Sequence, residues 1–173
     1  MSRKSDKLIP IIAIVGKSGS GKTTLIEKLL PEFKRRGYRV GTIKHHIHAF
    51  EIDREGKDSW RHARAGAESV ALISPCKLAF VTHLTSEMTP EEMRDAFFQD
   101  VDLILAEGYK GYPQPKIEVF RSAVSDTPIC TDDDQLLAIV SDCTLHLRVP
   151  CFELEAIGPL ADFLEERVLR GGK

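Results

Sequence analysis

The chain has 173 residues, 42% hydrophobic and 29% charged, with a formal net charge of −2 and a pI near 6.3. That length suits one domain able to bury about 70% of its unfolded surface, and the near-neutral balance favours neither nucleic acid nor an anionic membrane as partner. The longest apolar run, around Leu8 to Val15, is too short to span a bilayer.

Met1 to Lys7 superficially resembles the charged start of a signal peptide, but the apolar run behind it passes into a glycine-rich turn rather than a cleavage site. Cys76, Cys130, Cys143 and Cys151 form no C-x-x-C pair and read as reduced thiols, with a cytoplasmic location expected and a zinc site not. Ile11 to Val15, short and largely β-branched, predicts a buried parallel strand. Gly16-Lys17-Ser18-Gly19-Ser20-Gly21-Lys22-Thr23 follows and fits G-x-x-x-x-G-K-[ST], the phosphate-binding P-loop, with Thr24 and an amphipathic helix behind it. Its glycines let successive N–H groups turn inward around a phosphate, and the helix start adds unpaired N–H groups. Lys22 is expected to reach the β- and γ-phosphates, and the Thr23 hydroxyl to bind Mg²⁺.

The helix is expected from about Thr23 to Arg36, with Pro31 kinking or fraying it and Gly37 as its cap. A second strand, Arg39 to Lys44, completes a right-handed parallel unit. The polar stretch His45 to Gly56 should be a loop at the ligand-binding end of the sheet. His45, His46 and His48, with Asp53 close by, offer transition-metal chemistry, but the spacing matches no ligand pattern and a phosphate-facing or switch-like loop fits better. Asp53 is a candidate Mg²⁺ carboxylate, with a plain surface acid as the alternative. Gly56-Lys57-Asp58-Ser59 stands before a helix of about Ser59 to Ala65, near Arg61, His62 and Arg64. It is either a second anion site or only a helix cap, with Asp58 capping.

Ser69–Ile73 and Leu78–Val81, joined at Ser74-Pro75, predict an antiparallel pair at one edge of the sheet. Thr89-Pro90-Glu91-Glu92 signals a helix start. Val101 to Gly108 is a buried strand ending in Glu107, where P-loop proteins place the acid that holds Mg²⁺ through water or orients the attacking water. Asp102, at the far end of that strand, is expected to be structural. Ile117–Phe120 and Leu136–Val140 are further strands, with the proline- and aspartate-rich Thr127 to Asp134 an exposed excursion between them. Asp142 could accept both N1–H and N2–H of guanine, although no N-K-x-D motif is present. Gly158-Pro159 opens a last amphipathic helix. One domain over residues 1–173 is expected, an α/β three-layer fold with a mostly parallel sheet and an antiparallel edge extension, and with residues 1–8 and 171–173 frayed.

Lys17 resembles the lysine of dimerising P-loop ATPases that crosses to the partner's nucleotide, although those have glycine where Ser18 stands. The P-loop, Thr42-Ile43-Lys44-His45-His46 with His48, Gly56-Lys57-Asp58-Ser59 with Ala65-Gly66-Ala67, Leu103 to Lys110, Lys116-Ile117 through Phe120-Arg121, and Ala138 to Asp142 together resemble the MobB family. These are adaptors of molybdopterin guanine dinucleotide biosynthesis. The resemblance covers about Ile11 to Asp142. It implies a GTP-binding homodimer with Mg²⁺ and weak GTPase activity, and a partner of the MobA type, the guanylyltransferase that joins GMP to molybdopterin. It also implies that Glu107 and the His45–Asp53 loop face the nucleotide or cofactor, that molybdopterin is a ligand, and that Lys44, His45, His46, His48, Lys57, Asp58 and Ser59 are candidates for a second anion or cofactor site. The rival readings are a P-loop small-molecule kinase, disfavoured for want of an arginine-rich lid, and a phosphorylated-cofactor carrier that hydrolyses nothing.

Overall fold

The computed structural model describes residues 8–45 and 51–171. In chain order the strands are β1 (Ile11–Val15), β2 (Val40–Lys44), β3 (Ser69–Ser74), β4 (Lys77–Thr82), β5 (Leu103–Glu107), β6 (Lys116–Phe120), β7 (Leu136–Ser141) and β8 (Cys151–Glu153). The helices are α1 (Lys22–Arg35), α2 (Asp58–Arg64), α3 (Pro90–Phe97) and α4 (Ile157–Leu164), the last continuing into a π-helical stretch Glu165–Arg170. The described residues fall into two compact units, one of residues 8–45 with 90–171 and one of residues 51–89.

The larger unit carries a six-stranded sheet in the order β2-β5-β1-β6-β7-β8, parallel at every pairing. Period-two alternation divides its side chains between two faces. Ile12, Ile14, Leu103, Leu105, Ile117, Val119, Ala138 and Val140 pack with the apolar faces of α1 and α4. The intervening positions Ile11, Ala13, Val15, Ile104, Ala106, Phe120 and Ile139 pack on the other side, against Met93 of α3 and irregular segments around Tyr109 and Cys130. This is the three-layer P-loop architecture. The three-residue β8 is too short to show a sequence pattern.

Pro31 does not break α1, which runs on through it. A helix-interior proline costs about 3 kcal/mol, but Leu25, Ile26, Leu29 and Phe33 are buried on one face, and each such burial contributes about 1.5–3 kcal/mol. Packing wins. At the helix end Gly37 N–H donates to the Lys34 carbonyl and Tyr38 N–H to that of Phe33, both at 3.0 Å. With Gly37 at φ 88° and the Tyr38 ring edge-on to Phe33, this is a Schellman cap with its apolar contact. Arg36 then reaches Glu32 at 2.8 Å, Asp162 at 2.6 Å and Glu165 at 3.0 Å, tying α1 to the C-terminal helix. Asp102, as expected, is structural: its carboxylate accepts from Arg39 N–H at 2.7 Å.

The excursion after β6 is less exposed than its composition suggests. Lys116 and Glu118 occupy β6 positions facing the second layer and are each 1% exposed. A buried charge must find partners, and the excursion supplies them. Glu118 accepts N–H bonds from Ile129 at 2.7 Å and Cys130 at 2.9 Å, while Lys116 pairs with Asp133 at 3.0 Å. Gln135 N–H and Lys116 hold the Asp133 carboxyl below its ordinary value.

In the smaller unit β3 and β4 pair antiparallel, Ser74 opposite Lys77, as a two-stranded sheet of its own rather than hydrogen-bonded onto the six-stranded one. The helix expected to follow an Asp58 cap instead begins at Asp58, with Lys57 at the cap position and no side-chain cap bond. Asp58 serves in the first turn, where a carboxylate favours the helix dipole. None of the four cysteines is in a disulfide.

Two measurements follow from these contacts. Hydrogen bonds from Arg35 and Arg36 hold Glu32 down at about 2 against an ordinary 4.5. A depressed acid stabilises above its unfolded value and loses that stabilisation as pH falls through the folded value. Arg36→Ala should therefore lower Tm near neutrality and narrow its gap from wild type as pH drops from 4.5 towards 2, read by thermal melts across that range. Burial, with the Glu118 charge adding, pushes the Cys130 thiol up to about 11. Iodoacetamide at about pH 8 should alkylate exposed Cys76 and Cys143 and spare Cys130 until the protein unfolds, as mass spectrometry of labelled peptides would show.

Candidate functional site

All strands of a parallel sheet end on the same edge, and β2, β5 and β1 end nearly level there while β6 runs on to Phe120 beyond its position opposite Val15. Ile14 and Lys44 are both opposite Glu107, and Val15 is opposite Glu118. The loop leaving β1 therefore emerges between the end of β5 and the end of β6.

That loop has the geometry its glycines permit. Gly16, Gly19 and Gly21 take φ values of 140°, 79° and 99°. At Gly16 space is also decisive: a Cβ there would lie 2.3 Å from the Val119 carbonyl oxygen of β6 and 2.8 Å from Ser20 Oγ. Ser20 is 1% exposed, and its hydroxyl has no hydrogen-bond partner among the described residues. Lys17 and Ser18 stand exposed on the outer turn. Lys22 Nζ folds back on its own loop, donating to the carbonyls of Gly16 at 3.0 Å and Lys17 at 2.9 Å. A polyphosphate would offer that ammonium stronger, charged acceptors.

Thr23 Oγ1 donates to Glu107 Oε2 at 2.9 Å across 84 residues of sequence. Glu107 shares the alternation of Leu103 and Leu105, so it points to the α1 side of the sheet, where Thr23 begins the helix. Lys44, with the same alternation on β2, lies 3.4 Å from Glu107 Oε1. A hydroxyl that donates to a carboxylate keeps its lone pairs for a cation. Thr23 and Glu107 thus form a hard-oxygen pair suited to Mg²⁺, which takes few protein ligands and keeps several waters. Glu107 runs on into Gly108 at φ 102° and Tyr109 at φ 57°. That left-handed pair turns the Tyr109 ring onto His45, with centroids 4.5 Å apart. His45 N–H also donates to the Glu107 carbonyl at 3.0 Å.

On the other flank Asp142 Oδ1 accepts from Ser122 N–H at 2.9 Å, so one of its two oxygens is already committed. Arg121, to which its sequence position alone gives no role, brings Nε to 3.9 Å from where a Gly21 Cβ would be. Its alternation with Ile117 and Val119 was the signal available. Lys44, Glu107, the loop, Arg121 and Asp142 therefore line one edge of the larger unit. Asp53, Lys57, Asp58 and Ser59 belong to the smaller unit. Within it Asp53 Oδ1 accepts from Arg54 N–H at 2.9 Å, Lys57 and Asp58 are exposed, and Ser59 is buried. His46 and His48 lie outside the described residues, and no cluster of three metal-ligating side chains occurs among the described ones.

Comparison with known proteins agrees with this architecture. The family model for MobB, molybdopterin guanine dinucleotide synthesis protein B, matches residues 11–142. The chain is 38% identical over 158 residues to the molybdopterin-guanine dinucleotide biosynthesis adapter protein of Haemophilus influenzae, covering 91% of this chain and 88% of that one. It is 36% identical over 166 residues to the protein of the same description from Escherichia coli, covering 92% and 93%. Among solved structures, one of molybdopterin-guanine biosynthesis protein B superposes with TM-score 0.72 at 30% identity, covering 92% of this chain and 99% of that one. Bacillus subtilis MobB gives 0.70 at 28%, covering 91% and 97%.

The two crowding contacts at Gly16 set it apart from Gly19, around which nothing lies within 4 Å. Gly16→Ala should cost more than Gly19→Ala, whose strain of about 1–2 kcal/mol is conformational only. Denaturant titrations of both variants would show it, and equal losses would mean that β6 does not press on the loop.

Proposed function

The chain belongs to the MobB family, and on that premise we propose that it is a GTP-binding accessory protein of molybdopterin guanine dinucleotide formation that hydrolyses GTP slowly. The observation that carries this reading is the Thr23–Glu107 hydrogen bond at the mouth of the P-loop. It joins a hydroxyl and a carboxylate able to bind Mg²⁺ next to the glycine loop, which supports a metal and a terminal phosphate held there.

In this reading the amides of Gly16 to Thr24 hold the phosphates, and Lys22 leaves its two carbonyls for the β- and γ-oxygens. Mg²⁺, held by Thr23 with Glu107 beside it, would neutralise charge on the β- and γ-oxygens. Glu107 would orient the attacking water, and Lys44, 3.4 Å from Oε1, holds its carboxylate in place. Asp142 reads guanine with the oxygen that Ser122 leaves open. The chain acts in the cytoplasm. No described helix is long and apolar enough to cross a membrane.

The smaller unit supports a homodimer. Both faces of the β3–β4 hairpin carry exposed apolar side chains, Leu72 and Val81 on one and Ile73, Leu78 and Phe80 on the other. A lone two-stranded sheet is marginal in water, so a second copy covering it would stabilise both. The adaptor's enzyme partner is a MobA-like guanylyltransferase, and molybdopterin is the cofactor presented. Lys57, exposed in the smaller unit, would meet its phosphate.

Lys22→Ala should remove GTP binding, a loss of roughly 100-fold or more for a charged group central to the site. Glu107→Gln should keep binding within about threefold while lowering turnover at least roughly tenfold. Calorimetry and phosphate release read the two effects separately, and undiminished turnover in the glutamine variant would take Glu107 out of the mechanism.

A further inference from the structure

We infer that Arg121 is a nucleotide-binding residue that grips the α-phosphate side of the polyphosphate, opposite the metal. This deepens the proposed function and rests on it.

Three observations on the larger unit carry it. First, the guanidinium is at the loop: its Nε lies 3.9 Å from the Cβ position of Gly21, the last glycine before Lys22. Second, its root is fixed. The Arg121 carbonyl accepts from Val124 N–H at 2.9 Å and Ser125 N–H at 3.1 Å, and the next residue's N–H is held by Asp142. Third, the charge is uncommitted. Arg121 is exposed, and no hydrogen bond or ion pair joins its side chain to another described residue. Every other charged group in the row, Lys22, Lys44, Glu107 and Asp142, is bonded to protein.

The side of the loop decides which phosphate it meets. β5 and β6 flank β1 on opposite sides. Thr23 and Glu107, the residues that would hold the metal of the terminal phosphates, stand on the β5 side. Arg121 stands on the β6 side, next to the β7 end that carries Asp142. It therefore meets the chain where the triphosphate continues into the nucleoside, and its planar donors suit a phosphate there.

The test is calorimetric titration of full-length wild type, Arg121→Ala and Arg121→Lys with GTP and with GDP in Mg²⁺, with phosphate release at saturating GTP and melts of the free proteins. Arg121→Ala should melt like wild type. It should lose roughly 10- to 100-fold in affinity for GTP and GDP alike, the range of a charge-assisted hydrogen bond, and turn over at saturation within about threefold of wild type. Arg121→Lys, keeping the charge, should recover part of the loss. Unchanged GDP affinity with falling turnover would instead make Arg121 a γ-phosphate finger. A lysine variant as weak as the alanine one would make it a stacking plane. Unaltered binding would leave it idle. Each of these overturns the assignment while leaving the P-loop reading intact, whereas wild type that binds neither nucleotide overturns both.

Discussion

Parallel pairing brings every strand end of the larger unit to one edge, and the two-residue period of the strands then chooses the side each terminal residue faces. Lys44, Glu107, Arg121 and Asp142 share the parity of the residues that pack under α1 and α4. Lys44 and Glu107 end two strands and Arg121 and Asp142 follow two others, yet their order along the edge alternates in sign about the glycine loop. A register slip of one residue on β5 would turn Glu107 to the opposite face and dissolve its bond to Thr23. The wholly buried Leu103, Ile104, Leu105 and Ala106 guard against that slip, because both faces of the strand are packed.

β6 bears the loop on one side and the second layer on the other. Buried ions such as Lys116 and Glu118 add little net stability, since desolvation offsets their pairing. Removing one partner is what is expensive, at about 3–5 kcal/mol. The segment from Ile129 to Asp133 is thereby bound to the strand whose carbonyl at Val119 crowds Gly16 and whose end carries Arg121. Polar groups far from the row of site residues thus hold one of its strands in place.

The smaller unit follows a different logic. It has almost no interior among its described residues: Ser59 is buried, whereas both strands of its hairpin are exposed nearly throughout. The Ser69–Thr82 hydroxyl contact at 2.7 Å and a tight turn fix its register without a core beneath. Apolar residues left outside in that way favour burial against another chain.

Spacing along the chain was enough for the P-loop, the strand before it, the helix after it, the parallel sheet and the hairpin, because local geometry dictates which residue types those elements accept. Gly16, Gly19 and Gly21 declare their backbone angles by having no Cβ, and Glu107 declares its place by ending a buried strand. Tertiary contacts alone decided the rest. That Pro31 sits inside an unbroken helix is a matter of what its neighbours bury. That an acidic, proline-containing excursion is held down follows from two charges on a strand distant from most of it. Arg121 is one residue past a strand, and only the pairing of β6 beside β1 brings it to Gly21, since a period of two sets a face but never a neighbour.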